Sequence, residues 1–376
     1  MLFNKISLID DLLNRIGEKL QLNETRREKA DQTYKSVSKW LQDDKIFFGI
    51  YDINIYPQGS YRLGTTNKPK GKEEYDLDFV LEIDYDYLKI TPNELLNHLE
   101  RRLKESDIYK DKIERKKRCI SIKYEGDFHL DIIPALPACV FRGDNLKIAD
   151  RHLKVWLDSC PKGYIRWFES KYISLKLIVE KAMEIEKLPP KIPYSLIQPL
   201  QRIVQLMKRY RDIYFDNRDD ISPRSIILTT LAGIYYNSWE SENESLLNIL
   251  CSIKKEIDFN PYGKIIVVNP SNSNEKFSDR WEEKPELYQY FKEFIYSFNS
   301  NWKKLNDAQG IDKIGKQLEL MFGESISKEV ISEHAEYTTE LRKVGLLGIN
   351  SIGALTSSFS NRAIPIRNNT FFGDIF

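Results

Sequence analysis

Cysteine and histidine are scarce in this chain, four of each among 376 residues. The cysteines (Cys119, Cys139, Cys160, Cys251) are scattered and form no Cys-x-x-Cys pair. That spacing argues against a zinc ribbon and against a disulfide scaffold. An excess of one charge is also missing, because 57 basic residues meet 56 acidic ones for a net charge of +1. A protein that tracks duplex phosphates carries a pronounced basic surface. Two local basic runs exist, Arg101-Arg102-Leu103-Lys104 and Arg115-Lys116-Lys117-Arg118. Both read as solvated faces balanced by neighbouring acids. No stretch approaches the ~20 apolar residues of a membrane span. The opening residues Met1-Leu2-Phe3-Asn4-Lys5 lack the apolar run of a signal peptide, so the cytoplasm is the expected compartment. The remaining composition, 41% hydrophobic and 30% charged, is that of a globular protein, and the length suits two closely packed lobes.

The most informative stretch is Tyr56-Pro57-Gln58-Gly59-Ser60-Tyr61-Arg62-Leu63-Gly64-Thr65, followed by Tyr75-Asp76-Leu77-Asp78-Phe79-Val80-Leu81. A glycine lets backbone N–H groups approach an anion closely, and the adjacent serine adds a hydroxyl donor. Leu77, Phe79, Leu81 and Ile83 alternate with Asp76, Asp78 and Glu82, the period-2 signature of a strand with one buried face. Asp76 and Asp78 then project from the other face. Such a pair is half of a magnesium site, and magnesium in turn grips nucleotide phosphates. A solvated acidic strand is the plainer reading of Asp-x-Asp alone.

Two-metal phosphoryl transfer needs a third carboxylate. Asp131 in Asp127-Phe128-His129-Leu130-Asp131-Ile132-Ile133-Pro134 is the best candidate. Phe128, Leu130 and Ile132 alternate toward a core, leaving His129 and Asp131 on the opposite face. The run from Lys116 to Tyr124 reads as a neighbouring strand, and Glu125-Gly126-Asp127 as the turn between them. An inward carboxylate on a central strand needs compensation, from a metal or from one of the nearby lysines. His129 is read as a neighbour, because an all-oxygen magnesium site has no use for imidazole.

Together these motifs resemble the polymerase-β-like nucleotidyltransferases, and the longer Gly-Ser string resembles the bacterial CD-NTases, relatives of animal cyclic GMP–AMP synthase and oligoadenylate synthase. Gln205-Leu206-Met207-Lys208-Arg209-Tyr210, Ser225-Ile226-Ile227-Leu228 and Val268-Asn269-Pro270 with Asp279-Arg280-Trp281 resemble the family's helical half in matching order. The resemblance implies an α+β protein, a polymerase-β-like core sheet with helices packed on a mainly helical, oligoadenylate-synthase-like lobe. It implies a synthase that joins nucleoside triphosphates into a cyclic di- or trinucleotide second messenger in antiphage (CBASS) signalling. Asp76, Asp78 and Asp131 would hold two Mg²⁺, with Mn²⁺ as a substitute. Gln58, Gly59, Ser60, Arg62, Lys208 and Ser225 would bind nucleotide. ATP is the expected substrate, with the second base open. A peptide-sensing or regulatory partner and an effector that binds the product are implied, and neither a membrane nor duplex nucleic acid is required. A template-independent RNA or tRNA nucleotidyltransferase, or a linear oligonucleotide synthase, is the alternative.

The expected organisation is an N-terminal bracing helix over 1–45, a catalytic core over 46–188, a helical nucleotide-binding lobe over 189–350 and an extended tail over 351–376. Residues 5–42 carry a helical apolar pattern, and a helix over about 92–105 opens with Thr91 as N-cap and Pro92 in its first turn. Leu188-Pro189-Pro190-Lys191-Ile192-Pro193 marks the linker. In 198–214, Leu200, Ile203, Val204 and Met207 fall on one face, while Gln201, Gln205, Lys208 and Asp212 form a polar stripe. From there Lys208 could cross a cleft to a triphosphate; an ordinary surface lysine is the other reading.

Overall fold

The computed structural model describes residues 8–349, apart from 72–73, 140–142, 174–187, 190–191 and 239–240, together with 355–357 and 364–365. Most of the tail expected over 351–376, and Pro190-Lys191 of the linker, lie outside the described residues.

Seven strands form one mixed sheet: β1 (Ile53–Gln58), β2 (Tyr75–Ile83), β3 (Ile113–Arg115), β4 (Ile120–Tyr124), β5 (Phe128–Pro137), β6 (Leu146–Asp150) and β7 (Val155–Ser159). The order is β1-β2-β5-β4-β3, and the far half of β5 turns to β6, which pairs with β7. Among the described strands only β2 and β5 run parallel, and their register sets Asp78 beside Asp131 and Asp76 beside His129. The run read as one strand from Lys116 is divided. The Lys116 N–H donates to the Cys119 carbonyl at 3.1 Å, so the chain turns there between β3 and β4.

Leu77, Phe79, Leu81 and Ile83 of β2, Ile120 and Ile122 of β4, and Phe128, Leu130 and Ile132 of β5 point to one side of the sheet. There they pack with α2 (Glu24–Gln42) and with α4 (Pro92–Lys104). Thr91 closes a capping box on α4: its hydroxyl accepts the Glu94 N–H and the Glu94 carboxylate accepts the Thr91 N–H. The other sheet face carries the acids.

A second, helical core gathers α1 (Leu8–Lys19), α5 (Pro161–Glu169), α6 (Pro199–Tyr214), α7 (Ser225–Tyr235), α8 (Glu242–Phe259), α10 (Pro285–Asp307), α11 (Ile311–Phe322) and α12 (Glu324–Lys343). Phe291, Phe294, Phe298, Trp302 and Leu305 repeat at helical spacing along α10 and are buried in it. Two four-residue helices, α3 (Gly59–Arg62) and α9 (Arg280–Glu283), also occur among the described residues.

The amino-terminal helical pattern is two helices. Leu12, Leu13, Ile16 and Leu20 belong to the helical core, whereas Ala30, Val37 and Leu41 belong to the sheet core. The break falls at Asn23, whose side chain accepts the Arg26 N–H at 2.9 Å and caps α2. α5 precedes the linker in sequence, yet Tyr164, Ile165 and Phe168 lie in the helical core.

Candidate active site

The Gly-Ser turn sits directly on the acidic strand. Gly59 has φ +62°, a conformation that disfavours any side chain, and a Cβ there would lie 2.3 Å from Asp78 Oδ2. Gln58 ends β1 opposite Asp78 in register. The Ser60 hydroxyl lies 3.0 Å from the Thr66 hydroxyl, and the Thr65 N–H donates to the Ser60 carbonyl at 2.9 Å. Both bonds hold the loop folded beside the carboxylates.

The polar stripe of α6 holds this same loop from the helical side. Gln201 donates to the Leu63 carbonyl at 2.8 Å, Gln205 to Thr66 at 3.0 Å and Lys208 to Thr65 at 2.9 Å. Asn67 returns a bond to the Gln205 carbonyl at 2.9 Å. Lys208 is only 7% exposed, so the plain surface-lysine reading does not hold. Burial, with Arg211 nearby, pushes its ammonium down to about 8, against the opposing pull of Asp212, Asp78 and Asp76.

Two further expected ligands are differently placed. Arg62 forms an ion pair with Glu169 at 2.9 Å, both side chains buried, and so ties α3 to α5. Its guanidinium is engaged at the seam between α3 and α5. Ser225 opens α7 and accepts a hydrogen bond from Arg211, one turn beyond Lys208.

Asp76, Asp78 and Asp131 share one sheet face, as the strand pattern and register require. Burial, then the charges of Asp131 and Asp76, push the Asp78 carboxyl up to about 7. Asp76 is also raised, by the desolvating cleft walls and then by Asp131, although its side chain is 68% accessible at the rim. Asp131 is 13% exposed and accepts from Lys116 Nζ at 3.0 Å on each oxygen. Compensation by a nearby lysine is therefore what the resting site shows. Among the described residues no group of three or more His, Cys, Asp or Glu side chains stands in metal-binding geometry. His129 faces Glu74 and lies 4.0 Å from Asp76. The Cys119 thiol is pushed up by its burial and by Asp131 beside it.

Beyond Asp78 the same face carries Tyr56, Val80, Ala135 and Leu146, a small buried apolar cluster. Past it lies a cavity of about 570 Å³ lined by Asp52, Asn54, Glu82, Asp84, Lys162 and Arg166. The Asn269 motif acts at a distance from the carboxylates. Asn269 donates to Glu275 at 2.7 Å, and Glu275 accepts the Cys160 N–H at 2.8 Å and the Ser159 hydroxyl at 2.9 Å. These bonds dock the hairpin of β8 (Val268–Asn269) and β9 (Asn272–Lys276) on the start of α5. Trp281 is buried.

Residues 7–171 match the Second Messenger Oligonucleotide or Dinucleotide Synthetase (SMODS) domain. A c-di-GMP synthase of Roseivirga ehrenbergii is 36% identical over 379 residues, covering 99% of each chain. This chain belongs to the CD-NTase family. The cyclic dinucleotide synthase CdnG of Bradyrhizobium diazoefficiens is 28% identical over 301 residues, 73% of this CD-NTase and 70% of that one. Its structure in complex with GTP superposes with a TM-score of 0.72 at 22% identity, over 88% of this chain and 99% of that chain. Vibrio cholerae DncV, in complex with a linear intermediate, gives 0.55 at 17% identity over 85% and 87%. The two likenesses show the fold: a polymerase-β-like sheet with a helical lobe. As a CD-NTase the protein is a nucleotidyltransferase that makes a second messenger. No helix among the described residues is long and apolar enough to cross a membrane.

The raised Asp78 carboxyl fixes the direction of a pH effect in the metal-free CD-NTase. The folded state binds that proton more tightly than the unfolded chain, whose aspartate titrates near 3.8. Stability from this group is therefore lost as pH rises from about 4 toward about 7. Thermal midpoints taken in chelator between about pH 4 and about pH 7 are expected to carry a downward contribution from this group, and Asp78→Asn is expected to remove it. An unchanged slope in that variant contradicts the crowding of charge on Asp78.

Proposed function

We propose that this CD-NTase condenses two GTP molecules into cyclic di-GMP, with release of two pyrophosphates. The carrying observation is the full-length 36% identity with a c-di-GMP synthase. The GTP complex of the CdnG structure points the same way. The expectation of ATP accordingly gives way to GTP.

Asp76, Asp78 and Asp131 would hold two Mg²⁺. The donor set fits hard divalent cations: oxygen ligands only, from neighbouring strands, with mutual repulsion that calls for positive charge. Bound there, the ions would activate the attacking ribose hydroxyl and neutralise the leaving pyrophosphate. Gly59 lets the turn backbone come close to the β- and γ-phosphates, and the Ser60 hydroxyl donates to them. Lys208 leaves the Thr65 carbonyl to pair with a phosphate oxygen, and Ser225 adds a hydroxyl from the start of α7. Gln58, beside Asp78, borders the same phosphates. The chain supplies position and charge and forms no covalent intermediate. One hydroxyl attacks the α-phosphorus of the other nucleotide, forming a P–O bond as the bond to pyrophosphate breaks. A second, intramolecular attack closes the ring. The product serves as a signal to a separate effector.

The test is incubation of the purified protein and Mg²⁺ with each nucleoside triphosphate singly and in pairs, followed by mass spectrometry and phosphatase treatment. GTP alone should yield a phosphatase-resistant cyclic di-GMP. A phosphatase-sensitive product would make the enzyme a linear synthase, and a product that requires ATP would overturn the assignment of the base.

A further inference from the structure

We propose that Lys116 is the internal cation of the resting site, holding Asp131 until a divalent ion displaces it. The inference rests on the reading of Asp131 as a metal ligand and goes beyond it: loading the metal and releasing the lysine become one event.

The ammonium of Lys116 reaches both Asp131 oxygens at 3.0 Å. Its presentation is built into the β3–β4 turn. Arg115 pairs with Glu100 on α4, Lys117 and Arg118 pair with Asp150, and Arg118 also reaches Asp279. Of four consecutive basic residues, three are drawn outward to fixed carboxylates, and the fourth is left pointing onto the catalytic face. The Lys116 N–H to Cys119 bond locks the turn that does this.

A second observation comes from the neighbouring strand. Ser121 stands directly opposite Asp131 in the β4–β5 register. Its flanking Ile120 and Ile122 face the sheet core, so Ser121 faces the acids. The side chain is fully buried, and its hydroxyl finds no partner among the described residues. A buried hydroxyl without an acceptor is unfavourable. Asp131 turns both oxygens to the lysine, and a second orientation of that carboxylate would satisfy Ser121. The site thus holds parts for two arrangements of Asp131. A lysine suits the exchange, because its ammonium is a single point charge on a flexible stem and Lys116 is one-third exposed. Arg62, locked in a buried pair with Glu169, lacks that freedom.

Lys116 is then a positioning residue, and Mn²⁺ binding to the nucleotide-free protein reads its effect without turnover. Free Mn²⁺ would be followed by electron paramagnetic resonance in wild type, Lys116→Met, Lys116→Arg and Asp131→Asn. Removing the competing charge should tighten Mn²⁺ binding about tenfold, while arginine, which keeps the charge and can pair with both oxygens, should not tighten it. Asp131→Asn should weaken it. If Lys116→Met binds no tighter while Asp131→Asn still weakens binding, the displacement inference fails and the metal ligand stands. If neither changes binding, the metal-site reading itself fails. Lys116→Gln provides the same comparison should the methionine variant fold poorly.

Discussion

An Asp76→Asn/Asp78→Asn protein is expected to keep its fold and lose pyrophosphate release by at least about 10³-fold, equivalent to about 4 kcal/mol of transition-state stabilisation. The substitution preserves shape and removes the two charges that would anchor the cations. Stability should move the other way. Asp78 is crowded by burial and by Asp131 and Asp76, so a neutral amide relieves repulsion in the metal-free state. The variant should therefore melt no lower than wild type in chelator. Pyrophosphate release and thermal unfolding, measured on the same preparation, separate the two effects. Retained turnover would remove the metal site from the mechanism, and a lowered melting point would refute the crowding.

Gly59→Ala carries the next largest effect, through two causes that can be told apart. At φ +62° an alanine costs about 1–2 kcal/mol of stability. Its methyl would also stand 2.3 Å from Asp78 Oδ2, so the turn or the carboxylate must move. A displacement of that order is worth about 10²-fold in rate when reacting groups lose alignment. Gly126→Ala is the control, because Gly126 has φ +76° with open space where its Cβ would go. Gly126→Ala should show the φ cost alone in denaturant titrations, Gly59→Ala should lose at least as much stability, and only Gly59→Ala should lose activity. Equal activities would mean that the close approach to Asp78 is irrelevant to catalysis.

What the chain reveals before folding depends on how local the cause is. The alternation of Leu77, Phe79, Leu81 and Ile83 with Asp76 and Asp78 is written in nine consecutive residues, and the strand follows it. The Thr91–Glu94 capping box and the Gly126 turn are equally local. The polar stripe of α6 is legible as a stripe, but its partners are not. The carbonyls of Leu63, Thr65 and Thr66 lie about 140 residues earlier and carry no side-chain signal. The partner of Arg62 is hidden for the same reason, since its neighbourhood in sequence is the Gly-Ser turn while Glu169 is 107 residues away. Among Arg115, Lys116, Lys117 and Arg118, composition treats all four alike, and only tertiary placement of Glu100, Asp150 and Asp279 singles out Lys116. The split of the amino-terminal pattern at Asn23 was available as a capping residue, but α1 and α2 each continue an apolar face, and periodicity alone runs across the break.

That break bears on how far the two cores can part at this end. Leu20 is sealed in the helical core and Leu22 packs against the sheet core, so the chain passes from one to the other across two residues. Fully stretched, such a leash spans roughly 7 Å. At this end the two cores are therefore held within that reach of each other.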